Sequence, residues 1–76
     1  SPPASEAGSV ALTPREQEVL RLIAKGYKLA EVARMLELSR YTVGDYVKAL
    51  YRKLNITTRA EATMEAARRG IVAPEG

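Results

Sequence analysis

The sequence predicts an all-α fold: a four-helix helix-turn-helix domain with a flexible N-terminal arm. Three observations carry the prediction. Apolar residues recur at 3- and 4-residue spacing in separate segments, the period that stacks side chains on one face of a helix. Two segments open on the capping pattern Thr-x-x-Glu, at Thr13–Glu16 and Thr58–Glu61. Gly26, Asn55 and Gly70 follow three of them, where a left-handed residue closes a helix at least cost.

Residues 1–11 hold two prolines, three serines and one glycine with no helical period, and read as a linker or arm. The chain begins in this run without methionine, so it is expected to be cut from a larger protein. A domain over residues 12–72 and a tail over 73–76 follow. Helix 1 is expected at about 14–25. Thr13 caps it, Pro14 suits its first position, Glu16 closes the capping box, and Val19, Leu20 and Ile23 face inward with help from Leu12. Leu29, Val32, Ala33 and Leu36 form the apolar face of a short helix 2, whose start is weakly signalled because Lys28 is a poor cap. Small Ala33 either lets helices 2 and 3 approach or is an ordinary helical alanine. Leu38 and Ser39 make the turn.

Helix 3, about 40–54, has two incompatible faces. Val43, Val47, Leu50 and Leu54 are spaced by 4, 3 and 4 and stack on one side. Tyr41, Asp45, Lys48, Ala49 and Arg52 fall on the other. A helix of this kind, following a shorter one after a brief turn, is the order of a helix-turn-helix whose second helix enters the DNA major groove. Helix 4, about 59–69, carries Ala60, Met64, Ala67 and Ile71 on one stripe and Ala62 and Ala66 on another. One stripe packs on the domain. Ala62 and Ala66 are assigned to a helix–helix dimer contact, because small residues permit close approach; a solvated alanine face is the alternative.

The chain of 76 residues has no cysteine and no histidine. That excludes disulfides, thiolate metal ligands, the usual zinc sites and Ser-His or Cys-His catalysis. No nucleophile–base set, paired carboxylates or glycine-rich phosphate loop can be assembled, so neither an enzyme nor a cofactor is expected. No apolar run nears the roughly 20 residues that span a bilayer, and no signal peptide is visible. Net charge is +3 and unevenly placed. Residues 1–38 balance, whereas Arg40, Lys48, Arg52, Lys53 and Arg59 face Asp45 alone between 39 and 59. The excess lies on and just after helix 3, the electrostatic footprint of a protein that meets phosphates.

These residues resemble a LuxR-type (GerE-like) helix-turn-helix domain, the output domain of NarL/FixJ-type response regulators. The matching elements are Leu12-Thr13-Pro14-Arg15-Glu16 with Glu18-Val19-Leu20, Gly26, Glu31-Val32-Ala33 with Leu36, Leu38-Ser39, Thr42-Val43, Val47, Arg52-Lys53-Leu54, and Arg59 with Glu61-Ala62. They run in register from about 12 to 72. The resemblance implies a four-helix domain that binds double-stranded DNA as a homodimer and regulates transcription in the cytoplasm, with RNA polymerase as a further partner. It also implies that helix 3 lies in the major groove, that helix 4 supplies the dimer contact, and that a receiver or ligand-binding domain precedes the linker. No membrane and no small-molecule ligand are expected for the domain itself. The chain departs from the family pattern at Gly44 and Asp45, where Lys and another residue are common, at Tyr46 in place of a frequent His, and at Lys28 in place of Ser or Thr.

Candidate contacts divide by role. Base contacts are assigned to Arg40, Tyr41, Gly44, Asp45 and Lys48. Lys48 suits guanine O6 and N7, and Asp45 suits cytosine N4. Gly44 either admits a base pair or thymine methyl close to the backbone or is a tolerated weak spot. Phosphate contacts are assigned to Lys28, Thr42, Tyr46, Arg52 and Lys53. Tyr51 flanks the apolar stripe and is read as core. Arg59 pairs either with Glu16 or another carboxylate, or with DNA; Arg21, Lys25 and Arg34 are read as solvated. Two other readings remain open: a helical module that docks an acidic protein, and a sigma-factor region-4-like domain.

Overall fold

A computed structural model describes residues 10–72. Four helices run in order: α1 Pro14–Ala24, α2 Leu29–Leu36, α3 Arg40–Leu54 and α4 Arg59–Arg68. No strand occurs among the described residues. Residues 1–9 of the arm expected over 1–11, and the tail over 73–76, lie outside the described residues. Val10, Ala11 and Leu12 form irregular chain, and Leu12 is already buried.

Local chemistry explains the boundaries. Thr13 Oγ1 accepts the Glu16 N–H, and Glu16 returns the bond by accepting the Thr13 N–H at 2.9 Å. Thr58 and Glu61 repeat this exchange at α4. Ser39 Oγ accepts the Thr42 N–H at 3.1 Å and opens α3. At α2 only half of the exchange exists: Glu31 accepts the Lys28 N–H at 2.8 Å, and no side chain caps the helix in return. Asn55 (φ 58°) and Gly70 (φ 75°) close α3 and α4, and Gly26 (φ 99°) lies just past the last turn of α1. Glu37 also takes a left-handed conformation, with φ 59°. The expected turn at Leu38–Ser39 therefore begins one residue earlier. The Leu38 N–H reaches back to Ala33 O at 2.8 Å, and its half-buried side chain seals the turn against the core.

The core divides into two joined clusters around α1. Leu12, Val19, Leu20, Ile23, Leu50, Leu54, Ala62 and Ala66 bind α1, α3 and α4 together. Leu22, Val32, Ala33 and Val43 bind α1, α2 and α3. Leu36 and Val47, both half-buried, touch both clusters. Leu22 was not expected inside. It is buried because α1 is covered from two sides, so its apolar arc is wider than a single stripe. Leu29, placed on the inner face of α2 by its spacing, is 39% exposed. It is the first residue of the helix, and the core does not extend that far.

Two further assignments are corrected. Ala62 and Ala66 are both fully buried within the domain. They are the small-residue seam by which α4 lies against α1, so neither has surface to offer a second chain. Arg59 does lock α4 to α1, but not through Glu16. Its Nε donates to Ile23 O at 3.3 Å and its Nη2 donates to Tyr27 O. A cation at the start of its own helix is unfavourable, but here it caps the carbonyl end of α1.

Candidate nucleic-acid interface

The two faces of α3 separate as the period predicts. Val43, Leu50 and Leu54 are buried and Val47 is half-buried. Arg40, Tyr41, Asp45, Lys48, Ala49 and Arg52 are exposed. Tyr41 is the extreme, at 89% exposure for an aromatic side chain. The buried stripe holds α3 against α1 and α2, so its outward face is presented on a rigid support. The start of α2 sits beside the start of α3: Leu29, Ala30, Arg40 and Tyr41 line one cleft. The start of α1 borders the middle of α3, where Glu16, Thr42, Asp45, Tyr46 and Ala49 line another.

Among the described residues, four of the five ion pairs lie away from this face, and the fifth, Lys53–Glu16, lies at its border. Glu18 holds Arg15 and Arg21, and Glu65 holds Arg68 and Arg69. Arg40, Asp45, Lys48 and Arg52 have no ion-pair partner among the described residues, although Asp45 and Lys48 are one turn apart. The base-contact candidates Arg40, Tyr41, Asp45 and Lys48 thus share one open surface, with half-buried Gly44 among them. Lys28 and Arg52 are exposed cations at its borders.

The remaining phosphate candidates are more committed. The Thr42 hydroxyl accepts from Ser39 Oγ at 3.0 Å, and half-buried Tyr46 packs its ring on the core. Lys53 differs from its expected role: its ammonium donates to Glu16 Oε1 at 2.8 Å, against a carboxylate side chain only 11% exposed. That bond, with the Thr13 N–H, holds the Glu16 carboxyl below the usual carboxylate range. Sequence pattern alone does not show this pair, because 37 residues separate its members.

The family described as "Bacterial regulatory proteins, luxR family" matches residues 10–66, well over half of the chain. This chain belongs to that family. It is a DNA-binding helix-turn-helix domain of the kind found in transcriptional regulators. Similar proteins include the nitrate/nitrite response regulator protein NarL of Escherichia coli, 40% identical over 70% of this chain and 24% of that protein. The transcriptional regulatory protein MctR of Rhizobium johnstonii is 41% identical over 93% of this chain and 33% of its own length. The HTH-type transcriptional regulator MalT of Vibrio campbellii is 40% identical over 72% of this chain but only 6% of itself. The luxR-family domain therefore spans a third or less of each of these three relatives.

Proposed function

We propose that this luxR-family domain, working as residues 12–72, reads duplex DNA in the bacterial cytoplasm with α3 in the major groove. One observation supports this above the others: α3 carries an outward face of charged and aromatic side chains without ion-pair partners, while its opposite face is anchored in the core. Arg40, Tyr41 and Lys48 take base edges, and Asp45 accepts from an exocyclic amino group. Lys28, Arg52 and the Thr42 and Tyr46 hydroxyls set the register by gripping phosphates. Lys53 reaches the backbone only by leaving Glu16, so it is a weaker contributor.

The larger protein is a response regulator or a related transcription factor, a reading supported by the likeness to NarL. Two copies bind an inverted repeat, close to RNA polymerase. The dimer contact moves to the outward face of α4, where Ala60 and Met64 are exposed, Met64 by 69%.

A titration with random-sequence duplex at two salt concentrations tests the main reading. Binding weakens steeply as salt rises, in proportion to the phosphates neutralised. Absence of binding at low salt would rule out a DNA-reading role for this chain.

A further inference from the structure

Gly44 lies within α3, four residues past its first, and no requirement of the fold explains it. Its backbone is helical; among the described glycines only Gly26 and Gly70 have positive φ. A Cβ added at Gly44 would meet no atom within 4 Å, so packing does not exclude a side chain either. Yet glycine inside a helix costs about 1 kcal/mol relative to alanine. Nothing inside the domain offsets that cost.

The surroundings of Gly44 give the missing methyl a direction. Its exposed neighbours on the helix surface are Arg40 at i−4, Tyr41 at i−3 and Lys48 at i+4. Three protruding side chains around a residue with none leave a shallow notch in the outward face. The floor of the notch is glycine Cα and helical backbone whose hydrogen bonds are already made. It is therefore apolar, and it is about one methyl group deep.

We propose that Gly44 is a specificity-determining residue, and that its notch receives the C5-methyl group of a thymine. This rests on the reading of α3 as the base-reading helix. The thymine methyl is the one apolar group that unmodified base pairs display in the major groove. A cytosine at the same place leaves the notch unfilled. Every other major-groove edge brings a donor or acceptor to a floor that has no partner for it. Asp45 reinforces the choice of neighbours: its carboxylate is repelled by the acceptors of guanine and thymine, and it favours an adjoining base with an exposed amino group.

Adding a methyl to the protein and removing one from the DNA are reciprocal changes, and together they form the test. The 76-residue chain is used to enrich duplexes from a random-sequence library. The enriched duplex is then rebuilt with deoxyuridine in place of each thymine in turn. At one thymine per half-site, uracil weakens binding about fourfold, the equivalent of losing burial of one methyl group. Gly44→Ala binds the thymine duplex more weakly than the parent chain does, and it recovers on the uracil duplex, where the DNA methyl is gone. Its thermal unfolding midpoint stays equal or rises, which separates this loss from misfolding. The proposal is overturned if no thymine is sensitive to uracil, if Gly44→Ala binds the thymine duplex unchanged, or if it loses equally on both duplexes. Failure of the parent chain to bind any duplex at low salt is a distinct result, and it removes the DNA-reading function together with this inference.

Discussion

Single side chains on α3 and its borders divide by whether the fold already employs them. Arg52 is exposed and has no ion-pair partner among the described residues, whereas Lys53, next to it in sequence, is bound to Glu16. Arg52→Ala should therefore lower the slope of log affinity against log salt by about one phosphate. Lys53→Met should leave that slope nearly unchanged and lower stability instead, because it strips the Glu16 carboxylate of one partner. Equal slope changes in the two variants would show that Lys53 abandons Glu16 for DNA. Lys48 is expected to act on sequence discrimination. Lys48→Ala should narrow the gap between enriched and random duplexes by about 1–3 kcal/mol; an equal loss on both would make Lys48 a phosphate contact.

Among the elements, α3 depends on its inner stripe and α4 on its cap and its alanine seam. Leu50 is 1% exposed at the junction of α1, α3 and α4. Leu50→Ala should cost about 2–5 kcal/mol, measured by urea unfolding, since the surrounding helices cannot close the space fully. A cost under about 1 kcal/mol would mean that the junction is loosely packed. Val47, by contrast, is only half-buried. Its replacement by Asp leaves the new carboxylate near water and is a milder change than the same replacement at Val43, which is fully buried. The buried Ala62 and Ala66 set how close α4 lies to α1, and leave the opposite side of α4, with Met64, exposed; the proposed dimer contact is assigned to that side. Met64→Glu should weaken binding to a two-half-site duplex while leaving single-half-site binding nearly the same. Unchanged two-site binding would exclude this face from the dimer.

For the molecule as a whole, three carboxylates couple stability to pH. Glu16 is held below its ordinary value of 4.5 chiefly by the Lys53 ammonium, Glu61 by the backbone N–H groups of Thr57 and Thr58, and Glu65 by the Arg68 guanidinium. Each folded-state pKa lies below the unfolded one. Their contribution is therefore complete above about pH 4.5 and is lost as pH falls through the folded values. Thermal midpoints should stay level with respect to these groups above pH 5 and drop as acid is added below pH 4.5. Lys53→Met should flatten part of that drop. A midpoint that rises on acidification would reverse the sign of the linkage.

The sequence by itself determined the four helices, the caps of α1, α3 and α4 and the two faces of α3, because these follow from short-range rules. A Thr capping box, a left-handed Asn55 or Gly70, and a 3.6-residue apolar period all act within one or two turns of chain. The outward stripe of Tyr41, Asp45 and Lys48 was legible for the same reason: once Val43, Leu50 and Leu54 are inside, the opposite side is outside. Only the tertiary structure decided which stripe of α4 turns inward, since the Ala62–Ala66 pair and the Ala60–Met64 stripe are both short and apolar, and the choice depends on how close α1 comes. It alone decided that Lys53 serves Glu16 and that Arg59 caps the carbonyl end of α1, because those partners lie 37 and 36 residues away. It also decided that nothing in the domain presses on Gly44. Periodicity reports how a side chain is oriented about its own helix axis; which element meets that side chain is set by the packing of all four helices at once.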